Sequence, residues 1–441
     1  MANIITTNWT ANSTTPLYDA NYPAGDRPFI YSDADYPPVP TVEPSAANQR
    51  FVGGAGANDS NDGTEGTPWA TWDKAMQELC ASSTWYCLNI GGDITVSSTF
   101  STKFYGSGPG SSIQFAYIRP DPALGSRPTL TVNATVEVDG QDYWLWYGFD
   151  LAGTSGHWFG QDTSTSHHTI RNMVGVMTGT GGDNIGFFYG INSNIDYFGA
   201  FNNDFTGPGI AGVHGNTACL ITFGSVNLRW ENNIVTNCPR PLYYKHANVV
   251  TPTDVHIRKN YQYDTVAGSE PCFFSGDGSN SGVWEIVDNI FESNVEISNG
   301  GGGAQPDSLT IENNTFFRDL QLQGGGGGEG NDDVVNSTVR NNVINVDYEL
   351  LRYTSNTNTN TSNYNLFGNN AIYQTTTYSS LATWQSATSQ DANSVFGAPT
   401  FVGGATPSTI AGYALDVGSN GKDVGSDGND MGANVTTVGN F

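Results

Sequence analysis

Only five lysines occur in the 441 residues, and one of them, Lys245, stands with His246 at 12 and 13 residues past Asn233. His214 follows Asn203 by 11 residues, and Asp277 follows Asn260 by 17 in a segment that carries extra residues. An amine, two imidazoles and a carboxylate gathered on one face are groups that move protons during the breakdown of a sugar polymer. Hydrolysis would need something else, two carboxylates roughly 5 to 9.5 Å apart across a groove. Asp264, Glu270, Asp277, Glu285 and Glu292 are available for it. In Tyr143-Trp144-Leu145-Trp146-Tyr147 the rings cannot all point inward on an alternating strand, so at least one face presents rings outward, to a sugar, a neighbouring subunit or a covering loop, and Trp144, Trp146 and Arg258 are the candidates for contact with a glycan. Asp423, Asp427 and Asp430 offer oxygen ligands close together. Without a complete calcium-loop spacing they leave calcium as an optional ion and no required cofactor.

The elements that must position these groups are short β-branched and aromatic runs that begin near Leu88 and end in Asn. They include Leu228-Arg229-Trp230-Glu231-Asn232-Asn233, Val255-His256-Ile257-Arg258-Lys259-Asn260, Trp284-Glu285-Ile286-Val287-Asp288-Asn289 and Leu309-Thr310-Ile311-Glu312-Asn313-Asn314. The series Asn172, Asn203, Asn233, Asn260, Asn289, Asn314, Asn342, Asn365 has intervals of 31, 30, 27, 29, 25, 28 and 23. So loose a period, carrying strands and no helix, implies stacked coils with turns of variable length. One Asn per coil at the same bend hydrogen-bonds to the coils above and below and tolerates a left-handed backbone.

Four segments follow. Residues 1–47 hold Pro16, Pro23, Pro28, Pro37, Pro38, Pro40 and Pro44 without an amphipathic period and read as an extended docking arm, laid either on a partner or along its own body. Residues 48–87 form an entry segment in which Trp69, Trp72, Met76 and Leu79 recur at helical spacing, with Thr67 or Thr71 as the cap. Residues 88–376 are the coils, and 377–441 close them. Of the five cysteines, Cys80 and Cys87 are the pair considered for a disulfide, against isolated buried thiols.

Acidic residues outnumber basic ones 42 to 16, giving a net charge of −26. Phosphate backbones need clustered Lys and Arg, so nucleic acid is excluded as a partner. No apolar run approaches the ~20 residues of a membrane span, so membrane insertion is not expected; Met1 to Leu17 has no signal-peptide character, so either the chain is not exported by that route or its signal lies outside this sequence.

The coils resemble the right-handed parallel β-helix proteins of the pectate lyase-like superfamily, which include polysaccharide lyases, glycoside hydrolases and phage tailspikes. The likeness rests on the entry run Asn61-Asp62-Gly63-Thr64-Glu65-Gly66-Thr67-Pro68-Trp69, on the Asn-Asn-aromatic coils, and on an exit run through Trp384, Asp391, Ser394, Pro399-Thr400-Phe401, Tyr413-Ala414-Leu415 and Asp430-Met431-Gly432. It implies an all-β fold, a single-stranded right-handed parallel β-helix with an N-terminal capping helix and an extended arm. Asn233-Ile234-Val235-Thr236-Asn237-Cys238 followed by Tyr243-Tyr244-Lys245 is similar to the region carrying the base of alginate lyase-like enzymes. There a Lys removes the proton beside a uronate carboxylate, and an Arg one coil later stabilises the charge that develops. The next coil here, Cys272-Phe273-Phe274-Ser275-Gly276-Asp277, lacks that Arg. The resulting expectation is a homo-oligomeric, trimeric virion surface protein of tailspike or fibre type that binds host polysaccharide, its arm docking on other virion proteins and depolymerisation left open. A secreted polysaccharide lyase or glycoside hydrolase and a non-enzymatic capsid or tail decoration are the alternatives.

Overall fold

The computed structural model describes residues 36, 39–40, 42–97, 99–101, 108–111, 115–134, 136–138, 141–153, 160–161, 166–178, 186–190, 196–209, 218–223, 227–238, 240–246, 254–263, 272–277, 282–300, 308–324, 337–350, 360–373 and 376–439. Two compact units divide the chain, residues 1–208 and 209–440. Each is a parallel β-solenoid in which the chain visits three sheets in a fixed cycle, first, third, second.

In the 209–440 unit the first sheet stacks Asn227–Glu231, Asp254–Arg258, Val283–Val287, Ser308–Glu312, Ser337–Arg340 and Thr361–Asn363, all parallel. The third runs from Ile234–Thr236 through Tyr261–Tyr263 to Val395–Phe396, and the second from Ala218–Phe223 through Arg240–His246 and Cys272–Asp277 to Asn370–Tyr373. One antiparallel strand, Thr376–Tyr378, ends the second sheet. Period-2 alternation sets the first sheet's faces. Leu228, Trp230, Val255, Ile257, Trp284, Ile286, Leu309 and Ile311 point inward and are buried. The charged residues between them therefore point outward.

The bend between first and third sheets uses two successive residues. The first is left-handed, with φ of 58° at Asn232, 55° at Asn313 and 57° at Asn341, a region that Asn enters at low steric cost. The second enters the ladder. Asn233, Asn260, Asn289, Asn314 and Asn342 each donate from Nδ2 to Oδ1 of the next, at 2.9, 3.0, 3.0, 3.1 and 3.1 Å, the last reaching Asn365. Asn203 is the ladder residue in the 1–208 unit, where it accepts from the backbone of Met173 at 3.0 Å. Asn172, read from the sequence as a ladder member, is instead the left-handed residue (φ 53°), and Met173 holds the ladder place. One residue cannot both turn the chain and point its amide into the stack, so the two tasks fall to neighbours.

The ladder ends on Ser394, whose Oγ accepts from the Asn365 backbone at 2.8 Å. Beneath it the buried Asp391 accepts from Ser362, Ser394 and Trp384, the last in helix α2 (Leu381–Thr388) capped by Ser380. Burial raises the Asp391 carboxyl above its usual range, against these hydrogen bonds.

In the 1–208 unit the first sheet stacks Gln49–Val52, Cys87–Ile90, Ala116–Pro120, Asp142–Tyr147, Ser166–Arg171 and Asp196–Phe201. Helix α1 (Trp72–Ala81) forms where its spacing predicts. Thr71 is the cap, its side chain accepting from the Lys74 backbone, and Trp72, Ala75, Met76, Leu79 and Cys80 are buried. Trp72 packs on Trp146 at 6.1 Å between ring centroids.

The described part of the arm lies on its own unit. Tyr36, buried, sets its ring edge-on to Tyr197 and Phe201. Val39 packs on Cys87, Tyr117, Leu145 and Tyr147, and Glu43 takes both terminal nitrogens of the buried Arg119. Cys80 and Cys87 do not pair. The disulfide joins Cys219 and Cys238, whose Cα atoms are 6.1 Å apart, and Cys80, Cys87 and Cys272 are buried thiols. Among the described residues no helix is long and apolar enough to cross a membrane.

Candidate functional site

The closing segment takes one face of the 209–440 unit out of use. Phe401, Leu415 and Met431 pack on Val343 and Leu366 of the third sheet, and the backbone of Ala433 donates to Thr315 Oγ1 and that of Gly439 to the Lys259 carbonyl. The outer face of the first sheet instead presents polar side chains from successive coils. Register places Arg229 beside His256 and His256 beside Glu285, then Thr310, Thr338 and Thr361. In the neighbouring column Glu231, itself buried, stands beside Arg258, and Glu312 beside Arg340. Steps of about 4.8 Å between coils match the scale on which a sugar chain repeats its groups.

His256 is the centre of this face. Its Nδ1 lies 2.8 Å from Glu285 Oε2, an oxygen that Arg258 Nη2 also reaches. Burial lowers the His256 pKa to about 4, helped by the guanidiniums of Arg258 and Arg229 and opposed by Glu231 and Asp254. At neutral pH the imidazole is uncharged, so the carboxylate partner fixes the proton on Nδ1 and makes Nε2 the acceptor. The side chains of His256, Arg258 and Glu285 are 15%, 19% and 27% exposed, desolvated enough to strengthen their interactions and open enough to meet a ligand. Glu312 and Arg340 pair at 2.8 Å further along. The face can supply a neutral base, guanidinium donors and carboxylate acceptors together.

The residues singled out from sequence are dispersed. Lys245 and His246 lie in Arg240–His246 of the second sheet, in register with Ser275 and Gly276, and Asp277 ends the adjacent strand, two positions past Ser275. Their side chains, and all of His214, lie outside the described residues. Arg258 belongs to the first sheet, on the charged face. Trp144 and Trp146 are fully buried, their ring centroids 5.4 Å apart with the planes tilted, and have no surface to offer a sugar. Sitting two apart on one strand, they share a face, and that face is the inner one, while Leu145 and Tyr147 point to the arm. Asp430 accepts from Lys422 Nζ at 2.7 Å and from the Asp423 backbone at 3.1 Å, while Asp427 accepts from the backbone and side chain of Asn429. These carboxylates are engaged in holding their own loop, and among the described residues no three His, Cys, Asp or Glu side chains gather as a metal site. Sequence reasoning passed over Arg229, Glu231 and His256, although each lies in the strand runs that revealed the repeat.

Fold and site define a class, the parallel β-solenoids with a polar face built from successive coils. No family model matches the chain, and no curated protein matches it. Among solved structures it is similar to the crystal structure of a GH136 lacto-N-biosidase from Eubacterium ramulus (selenomethionine derivative). The likeness covers 80% of this chain and 67% of that chain at 9% identity, with a TM-score of 0.21, too low to bear on fold or function.

Proposed function

We propose that this protein is a glycan-binding β-solenoid, displayed as a homo-oligomer on a virion surface, and that the face bearing Arg229, Glu231, His256, Arg258 and Glu285 receives the polysaccharide. The observation that carries the reading is the register of these polar groups on one partly buried face. An extended polymer rich in hydroxyls needs donors and acceptors repeated along its length, and three successive coils supply them. A neutral His256 at that place also allows proton transfer, so processing of the bound glycan belongs to the same reading. A net charge of −26 sets nucleic acid aside as a partner. The Cys219–Cys238 bond agrees with exposure to oxidising surroundings.

The test is retention of the protein on arrayed bacterial surface polysaccharides, with Arg258→Ala and His256→Ala as variants. Binding by the wild type that both variants lose supports the assignment; equal binding by all three moves the site elsewhere. Mass spectrometry of purified particles tests the virion setting, and absence of the chain from every particle would favour a secreted enzyme.

A further inference from the structure

The disulfide closes the segment of chain that carries one strand of the charged face. Cys219 is in Ala218–Phe223 of the second sheet, and Cys238 follows Ile234–Thr236 of the third. Between them the chain passes through Asn227–Glu231 of the first sheet, so the bond, at a sequence separation of 19, closes one strand from each sheet into a covalent ring. Among the described residues no other coil is closed in this way. The strand inside the ring presents Arg229 and Glu231. Across the register these two face His256 and Arg258 of the next coil.

The other coils of this unit are held by the asparagine ladder and by both neighbouring strands in every sheet. The ring adds a constraint of another kind. It ties the start of the second-sheet strand to the chain just past the end of the third-sheet strand, so the two ends of the segment that carries the first-sheet strand cannot move apart. Both sulfurs are in fully buried residues, so the bond is shielded from exchange with solvent thiols.

We propose that Cys219 and Cys238 are positioning residues for the polysaccharide face: their bond holds the Asn227–Glu231 strand so that Arg229 and Glu231 stand against His256 and Arg258. This rests on the reading of that face as the binding site. The groups facing His256 are Arg229, Glu231, Asp254, Arg258 and Glu285, and only the first two are inside the ring. Loosening the ring therefore withdraws one guanidinium and one carboxylate from His256 and leaves the other three in place.

The experiment follows the His256 imidazole by NMR titration in the wild type and in the double variant Cys219→Ala/Cys238→Ala, with backbone hydrogen exchange on the same samples. In the double variant the His256 midpoint is expected to rise by about one pH unit as the strand admits water, the withdrawal of Arg229 adding to the rise and that of Glu231 opposing it. Exchange over Asn227–Glu231 should quicken at least about tenfold, while Val283–Val287 and Ser308–Glu312 stay protected. Arg229→Ala, with the disulfide intact, should move the midpoint in the same direction without quickening exchange. An unchanged midpoint with unchanged exchange in the double variant overturns the proposal. Should the double variant not fold, Cys219→Ser/Cys238→Ser is measured instead, by the same two criteria; failure of that variant to fold also overturns it, because the bond would then hold the whole unit rather than this face. Neither readout involves a glycan, so a failure here is distinct from a failure to bind polysaccharide.

Discussion

Asn289 gives both its backbone N–H and its side-chain Nδ2 to one atom, Oδ1 of Asn314, at 2.9 and 3.0 Å. The remaining Nδ2 proton is shared between the Ile257 carbonyl at 2.8 Å and the Val287 carbonyl at 3.0 Å, so the amide ties three coils together at a point fully removed from water. Truncating either residue leaves buried donors and acceptors with no partner. Asn289→Ala and Asn314→Ala should each destabilise the protein by about 1 to 3 kcal/mol. Asn369, exposed and reaching Asp347 only at 3.4 Å, should tolerate Ala within about 0.5 kcal/mol. Denaturant or thermal unfolding of the three variants checks this, and equal shifts would refute the ladder's role.

The stack was legible in the sequence because it is templated: each coil repeats an outward bend and an inward Asn, and a repeated local solution leaves a repeated local signal. Helix α1 was legible for the same reason, its five buried residues sharing one face. The charged face was within reach but not found. Leu228, Trp230, Val255, Ile257, Trp284 and Ile286 must point inward, so Arg229, Glu231, His256, Arg258 and Glu285 must share the opposite side. Counting residues downstream of each ladder Asn instead followed the chain into turns of unequal length, where register is lost. The Cys219–Cys238 bond was hidden because it depends on two different sheets meeting at a corner. The burial of Trp144 and Trp146 depends on which of two faces is inside, and alternation alone leaves that open.

Burial holds His256 and His168 at about pKa 4 and lifts Asp288 to about 6. The signs oppose. A histidine whose folded pKa is depressed contributes fully above its unfolded value of 6.5, and that contribution is lost as pH falls from 6.5 toward 4. An aspartate whose folded pKa is raised contributes fully below 3.8, and loses it as pH rises from 3.8 toward 6. Relative to the wild type, His256→Gln should therefore gain stability as pH is lowered from 6.5 to 4. Asp288→Asn should gain stability as pH is raised from 4 to 6. Thermal unfolding at half-unit pH steps reads both slopes, and parallel curves for wild type and variants would mean that neither group is perturbed.

Two places compete for any turnover of polysaccharide. If the first-sheet face carries it, His256→Ala lowers the rate of depolymerisation by about 100-fold, the scale of a lost general base, and Lys245→Ala leaves the rate within about threefold. The reverse pattern would locate the chemistry on the second sheet with Lys245. Both rates unchanged, with turnover present in the wild type, would remove both residues from the mechanism. Viscometry or reducing-end release on a retained polysaccharide distinguishes the three.

The arm separates into two tasks that truncation can tell apart. Val39 and Glu43 act as cover: Val39 lies on the cluster of Cys87, Tyr117, Leu145 and Tyr147, and Glu43 satisfies an Arg119 guanidinium that also bonds Asn89 at 2.8 Å and lies 5.3 Å over the Tyr117 ring. Removing residues 1–47 uncovers these apolar side chains and leaves Arg119 without its carboxylate, so melting should fall by several degrees and binding of a hydrophobic dye should rise. Glu43→Ala alone should cost about 1 to 2 kcal/mol, at the low end for a charged hydrogen bond because Glu43 itself is 46% exposed. Removing residues 1–35 leaves Val39 and Glu43 in the chain, so melting should fall less and dye binding rise less than when residues 1–47 are removed. If the arm docks this protein on an assembly, the shorter truncation already abolishes incorporation into particles, with the fold intact. Full incorporation without residues 1–35, and loss only when 36–45 are also removed together with stability, would show that the arm serves its own unit and docks nothing.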